Sequence, residues 1–186
     1  MMPIRELQRE EIEKIWTIDR SEVIENIYYF RNGTLNLQPE YYNLQGWPPG
    51  QREQYLPILL DCFDRGGTFY GAFQNDALSG VVVLDNEFIG PNQDQLQLKF
   101  LHISKAYRKQ GLGQALFNKA VERAQAMNAR KLYISATPSE NTINFYLNIG
   151  CIITREVDQA LFELEPEDIH LEYLIPNLGQ TGTKQG

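Results

Sequence analysis

QLQLKFLHISKAYRKQGLGQALFNKAVERA, residues 95–124, is the stretch that decides the fold. Leu96, Leu98 and Phe100 alternate with polar residues, the signature of a strand with one buried face. The next apolar pair, Leu101 and Ile103, is out of phase by one residue. A slip of one residue turns every later side chain to the other face unless the strand carries an extra residue. The pattern therefore predicts a β-bulge near Phe100–Leu101, a feature over-represented beside active sites. After the strand comes Arg108-Lys109-Gln110-Gly111-Leu112-Gly113, followed by Leu112, Leu116, Ala120, Val121, Ala124 and Met127 at helical spacing. The helix thus starts on its glycines, and the N–H groups around Lys109 to Gln114 lack partners within the helix. Without Cβ atoms, Gly111 and Gly113 let a ligand approach those N–H groups closely. The helix dipole and the cations Arg108 and Lys109 favour an anion there, so the segment reads as a phosphate cradle.

A glycine turn leading into a surface helix is the plainer alternative. Two familiar nucleotide cradles fit badly. A P-loop needs Gly-Lys-Ser/Thr, which is absent, and a dinucleotide fingerprint needs a small residue at Leu116 and an acidic residue near Tyr133.

Working outward, 186 residues make one domain over 1–176, with 177–186 (NLGQTGTKQG) expected as a disordered tail. Apolar residues at 42% and charged residues at 22% are ordinary for a globular chain. A net charge of −7 disfavours nucleic acid and anionic membranes and is compatible with a cationic partner, though many proteins with neutral ligands are equally acidic. No apolar run is long enough to span a bilayer and the first residues lack a signal-type apolar segment, so a cytoplasmic location is expected. Cys62 and Cys151 form no paired motif, and His102 and His170 are the only histidines, so no metal site is expected.

Residues 3–7 read as a strand and 10–18 as a helix with Ile12, Ile15, Trp16 and Ile18 inward. The aromatic run Ile27–Phe30 and the turn pair Asn32-Gly33 suggest a small hairpin or irregular loop. A helix over 51–64 carries Tyr55, Leu59 and Phe63 and stops at Gly66-Gly67. Strands are expected at 68–74 and 78–84, then a loop over 85–93. A buried strand covers 131–135, Ser139 caps a helix over 142–149, and Gly150 ends it. Strands at 151–156 and 169–175 enclose a loop over 157–167. The strand–helix–strand unit at 95–135 implies a parallel pair, so the fold class is α/β with a mixed sheet.

A second string, SENTINFYLNIGC from Ser139 to Cys151, follows in order. Together with Arg-x-x-Gly-x-Gly after a bulged strand, it resembles the GCN5-related N-acetyltransferase (GNAT) superfamily from about residue 78 to 153. The resemblance implies a partly splayed sheet of six to seven strands flanked by about four helices. It implies acetyl-CoA as co-substrate and an acetyl group passed directly to a primary amine within a ternary complex. Backbone groups of Leu101, His102 and Ile103 would hold the pantetheine arm, and an N–H near Ile103 would polarise the thioester. Arg108, Lys109, Gln110, Gly111, Leu112, Gly113 and Gln114 would hold the pyrophosphate. Tyr146 falls on the family tyrosine that protonates the departing thiolate. Its phenol, with a reference pKa of about 10 against about 8.5 for a thiol, stays protonated at neutral pH. A tyrosine packed in the core beside Phe145 is the plainer reading.

Several positions depart from the family pattern. Ser139 stands where an asparagine often touches the pantetheine, with Asn141 two residues on, and both are cofactor-binding candidates. Gln97 and Ser135 occupy places where relatives carry a carboxylate base, and Cys151 replaces a usual phenylalanine. The base is therefore open among His102, Glu22 in the first helical region, Asp19 and a water chain. His102 is equally readable as a sheet histidine, and His170 as structural. Tyr28, Tyr29 and Trp47, with Tyr41 and Tyr42, could wall the site of a small-molecule or peptide amine or simply pack a lid. The expected assembly is a monomer or homodimer. A coenzyme-A-binding module without turnover and an unrelated nucleotide binder are the competing functions.

Overall fold

Strand β6 (Gln95–Ile103) is the axis of the fold, and the computed structural model describes residues 2–176. The tail expected over 177–186 lies outside the described residues. Leu96, Leu98, Leu101 and Ile103 pack into one apolar cluster, with Leu116, Phe117 and Ala120 of α2 (Leu112–Ala126). Phe100 joins the opposite cluster, with Ile12, Ile15, Leu59 and Val81. The neighbouring strand β5 (Ala77–Ile89) pairs Val83 with Phe100 but Leu84 with Leu98, leaving Lys99 as the extra residue. The bulge is thus at Lys99, just before the expected Phe100–Leu101 step, and Phe100 belongs to the flipped half. The Lys99 ammonium is 2.8 Å from the Asp85 carboxylate, and Arg65 approaches the same carboxylate at 3.2 Å. Asp85 lies in a second register shift, between Leu84 and Phe88. Residues 85–89, expected as a loop, are therefore a continuation of β5.

A seven-stranded sheet runs in the order β1 (Ile4–Glu6), β4 (Thr68–Gln74), β5, β6, β7 (Lys131–Ala136), β9 (Ile169–Leu174), β8 (Ile152–Ile153). Within it only β6 and β7 are parallel, as right-handed strand–helix–strand units require. That pairing covers Gln95–Gln97 against Lys131–Tyr133 and then stops. Beyond it β6 follows β5 while β7 follows β9, so the sheet splays where the Lys99 bulge bends β6 away.

One face of the sheet carries α2 and α3 (Glu140–Asn148). The other carries α1 (Gln51–Asp64) and a 3-10 helix over Arg9–Thr17. An α-helix was the expectation for 10–18, but Ile12, Ile15 and Ile18 are spaced by three. Three residues per turn puts all three on one line, and each is essentially inaccessible to solvent. The aromatic segment is a separate long hairpin, β2 (Glu22–Arg31) with β3 (Thr34–Leu44), rather than a small or irregular one. Asn32 at φ 53 and Gly33 at φ 77 supply the two positive φ angles of its tight turn. Most of its surface is exposed, so burial imposed little alternation on its sequence. Glu22 accordingly starts a strand, opposite Leu44, and is not in a helical region. The strand expected over 151–156 shrinks to Ile152–Ile153. A short helix, α4 (Gln159–Leu164), interrupts the loop expected over 157–167.

Candidate active site

At the start of α2, Gly111 occupies the cap position with φ 83, and no side chain caps the helix. A Cβ on Gly111 would meet nothing within 4 Å. No backbone or side-chain acceptor among the described residues takes a hydrogen bond from any N–H of Lys109, Gln110, Gly111, Leu112, Gly113 or Gln114. Six successive donors are thus left without a partner among the described residues at the positive end of a helix, with open space at Gly111. Gly113 has a different reason to be glycine. A Cβ there would sit 3.2 Å from Cε2 of Phe145, so α2 and α3 approach closely at this point.

The splay adjoins this cradle. Ser104 N–H donates to the Ser79 carbonyl at 2.8 Å, in register with the His102–Val81 pair. By antiparallel alternation, Leu101 and Ile103 then direct their backbone groups away from β5, into the gap beside β7. The Ile103 carbonyl is taken by Arg108 Nε at 2.9 Å. Arg108 also donates to the carbonyls of Ser21 and Asp19, both at 3.0 Å. Its guanidinium therefore stitches the chain before β2 to the end of β6, while its positive charge stays beside the cradle.

Tyr146, on α3, is buried with its ring edge-on to Phe117 and Phe145. Burial first, with smaller contributions from Cys151 and Asp168, raises its pKa well above that of a free phenol. Among the described residues, no group is hydrogen-bonded to its hydroxyl. Cys151 fills the adjoining core position, buried and with its thiol pushed up to about 12 by desolvation. Ser139 is committed to the helix: its Oγ accepts from Thr142 N–H at 3.4 Å and donates to Thr142 Oγ1 at 2.9 Å. Asn141 Nδ2 donates to Glu22 Oε1 at 3.0 Å, so the structure brings together two residues assigned different roles from sequence. Beside them Tyr28 donates to Asn144 Oδ1 at 2.9 Å, fastening the hairpin to α3. Tyr29 turns to Glu40 of its own hairpin instead, so Tyr28, Tyr29 and Trp47 sit in three different surroundings.

On the opposite face of β6, Trp47, Phe100 and His102 form an aromatic nest. Trp47 is 5.0 Å from His102 between ring centroids, and Phe100 is 4.9 Å from it. Desolvation, then the charges of Arg20 and Arg108, hold the His102 pKa well below the ordinary histidine value. The ring is neutral at physiological pH and is a weak base. Arg20 lies over Trp47 at 4.7 Å and donates to Gln51 Oε1 at 2.8 Å.

Sequence reasoning missed Asp168. It precedes β9, and its carboxylate accepts from the Ser135 hydroxyl of β7 at 2.8 Å. Desolvation raises its pKa to about 6; the Ser135 hydrogen bond opposes the shift and Glu165 adds to it. Glu165 in turn accepts from the Tyr55 hydroxyl of α1. The signal in the sequence was Ser135 itself, a small donor where relatives carry an acid, but the partner is 33 residues away and only the sheet order joins them. His170, two residues on, has Nδ1 2.7 Å from the Tyr133 oxygen, which also accepts from Asp158 N–H. Burial lowers the His170 pKa, so the ring is neutral, and its tautomer sets which of the two atoms donates. A cavity of about 390 Å³, lined by Phe88, Gln95, Tyr133 and Asp158, opens further along the same face. It adjoins the Ser135–Asp168 centre without containing it.

Among the described residues, no group of three or more His, Cys, Asp or Glu is placed to hold a metal, and no helix is long and apolar enough to cross a membrane. The model of the acetyltransferase (GNAT) family matches residues 5–151. Nourseothricin acetyltransferase superposes with a TM-score of 0.69 at 18% identity, over 94% of this chain and 98% of that one. PaiA N-acetyltransferase from Thermoplasma acidophilum, in complex with coenzyme A, gives 0.62 at 16% identity, over 94% and 99%. A GNAT-family acetyltransferase from Staphylococcus aureus gives 0.65 at 17% identity, over 95% and 100%. At such identities the likeness to these structures is one of fold.

Proposed function

Because the chain belongs to the GNAT family of acetyltransferases, we propose that it is an N-acetyltransferase moving an acetyl group from acetyl-CoA to a primary amine. The observation that carries this is the run of six N–H donors from Lys109 to Gln114 without a protein acceptor, set beside the splayed end of β6. Such a run fits a diphosphate, whose oxygens are pure acceptors. The coenzyme A bound to the Thermoplasma acidophilum relative supports the same ligand. Residues 1–176 act as one catalytic domain, since β9, which follows Asp168, lies between β7 and β8.

In this reading the cradle holds the pyrophosphate, and Leu101 offers its backbone groups to the pantetheine amides, the Ile103 carbonyl being engaged by Arg108. Acetyl-CoA supplies the activated acetyl group. The Ile103 N–H, fixed before the reaction, stabilises negative charge on the thioester oxygen. The acceptor enters on the face carrying Trp47 and His102. Asp168, ionised above about pH 6, takes a proton from the acceptor ammonium. The amine lone pair forms the C–N bond, the C–S bond breaks, and Tyr146 donates its proton to the sulfur; the second proton, on the now cationic nitrogen, passes through solvent to the Tyr146 oxygen, which leaves a neutral amide, a free thiol and a regenerated phenol. Tyr146 suits that role because burial keeps it protonated and its hydroxyl has no competing partner among the described residues. Asp168 suits the role of base better than the two sequence candidates. His102 is held neutral far below its usual range, and Glu22 is engaged by Asn141.

Thiol release from acetyl-CoA in the presence of a panel of amines tests the proposal. Amine-dependent release is the expected result. Tight coenzyme A binding with no release over any amine would instead favour a silent binding module, and protection by ATP or NAD alone would remove both.

A further inference from the structure

Three arginines among the described residues are partly buried, and two of them are fully engaged by the protein. Arg65 is held by Asp61, Asp85 and Glu87. Arg108 donates to three backbone carbonyls. Arg20 has one hydrogen bond, to the neutral Gln51 side chain, and no carboxylate within ion-pair distance among the described residues. A guanidinium carries five N–H donors and does not lose its proton in a protein. Partly burying one without an acceptor is unfavourable by an amount that neighbouring groups normally offset. Here the nearby charges do the reverse in part: Arg108 repels it, and the attraction comes from Glu22, with one oxygen already engaged by Asn141, and to a smaller extent from Tyr55.

The position of Arg20 shows which ligand would complete it. It lies on the face of β6 that bears Phe100 and His102, opposite the α2 face and its pyrophosphate cradle. Its plane is set by Trp47 beneath and Gln51 beside, which orients the remaining donors before any ligand arrives. A chain of contacts leads from this cation to the acid: Arg20 lies over Trp47, Trp47 stacks on Phe100, and the Tyr55 ring is 5.4 Å from Phe100 between centroids. Tyr55 donates to Glu165, whose carbonyl accepts from Asp168 N–H at 3.1 Å.

We infer that Arg20 is an acceptor-recognition residue that binds an anionic group, a carboxylate in the first instance, so that the acceptors of this protein are amino-acid-like molecules bearing both an amine and an acid. The inference rests on the transferase reading above. Such an acceptor spans the Tyr55 ring with its ammonium toward Asp168 and its anion toward Arg20, which forms a bidentate pair. The same chemistry separates a carboxylate from a phosphate ester only by size and charge, so both belong in the test.

The test compares acetylation of lysine, tyrosine and β-alanine with that of their carboxamides and of cadaverine, tyramine and ethylamine, with phosphoethanolamine as the phosphate arm. The acids should exceed their carboxamides by about 10-fold or more in kcat/KM. In Arg20→Gln that ratio should fall toward one, through KM, with acetyl-CoA affinity retained; Arg20→Lys should keep part of the preference. A stronger phosphoethanolamine response would assign the site to phosphate and overturn the carboxylate. Equal rates for acids and carboxamides, an equal loss on every acceptor in Arg20→Gln, or a loss of acetyl-CoA affinity would overturn the inference while leaving the transferase intact. If no amine is acetylated, the transferase reading fails by itself. Calorimetry of the same acids into the coenzyme A complex then still reports on Arg20, through heat that disappears in Arg20→Gln or, against the inference, through no heat at all.

Discussion

The Ser135 hydroxyl on β7 donates to the Asp168 carboxylate at 2.8 Å across the boundary with β9. The hydrogen bond favours the ionised acid while burial opposes it, and burial prevails, leaving Asp168 near pH 6. A carboxylate so poised is ionised at neutral pH yet still basic enough to take a proton, which neither partner would achieve alone. The acid and its tuning donor come from strands that are neighbours only in space.

Asp168→Asn should lower kcat/KM by about 100-fold or more, and the rising limb near pH 6 in the wild-type profile should vanish. Ser135→Ala removes the opposing hydrogen bond, so the same limb should move to higher pH while maximal activity at alkaline pH largely persists. A limb that stays in place in both variants would acquit Asp168 of the base role.

Stability should report on the same residue with the opposite benefit. The folded pKa of Asp168 is raised above 3.8, so the native state binds its proton more tightly than the unfolded chain. Native stability is therefore lost as pH rises from about 4 to about 6. Asp168→Asn should thus be more stable than wild type at pH 8 by about 1 to 2 kcal/mol and nearly equal at pH 4. Urea melts at the two pH values decide it.

Tyr146→Phe should reduce kcat by about 10- to 100-fold with coenzyme A affinity within about 2-fold of wild type, because only a proton donor is lost from a packed ring. A more acidic thiol-leaving group, which needs no protonation, should narrow the gap. Unchanged kcat in Tyr146→Phe would point to water as the acid.

Gly111→Ala and Gly113→Ala should fail for different reasons. At Gly111 the added methyl has room but sits at φ 83, costing about 1 kcal/mol of stability. It should also weaken coenzyme A binding. At Gly113 it meets Phe145, so Gly113→Ala should lose stability and be restored in part by Phe145→Leu. Thermal melts with and without coenzyme A separate the two.

Lys99→Met leaves the more distant Arg65 as the one cation on the buried Asp85 among the described residues, beside the backbone N–H groups of Asn86 and Glu87, and should destabilise the protein by about 3 kcal/mol. The double variant with Asp85→Asn should recover most of that. If Lys99 also holds the bulge that splays β6, acetyl-CoA affinity should fall in the single variant and return in the double one.

The elements made by local pattern were legible. α1 fell on 51–64 as expected, Ser139 caps α3, and the slip of apolar phase in β6 announced a bulge, because each follows from residues adjacent in the chain. The bulge was set a residue late because Phe100 fits either phase until two separate cores exist to claim it. The hairpin over β2 and β3 was under-read because its exposed faces select for nothing a periodicity can show. Arg108 was read as a phosphate ligand; its guanidinium donates to the carbonyl of Ile103, five residues away, and to those of Ser21 and Asp19, 87 and 89 residues away, contacts that no local pattern shows.

By itself, then, the sequence determined the strand–cradle–helix unit and Tyr146 on the following helix, since hydrogen-bond pattern, glycine conformation and helical spacing act over a few residues. Only the tertiary structure brought together the surroundings of Asp168, the proposed base, and of Arg20. Asp168 meets Ser135, and Arg20 meets Trp47 and Gln51, because sheet order and packing bring distant segments together, and their unusual ionisation arises from burial, which exists only once the chain is folded.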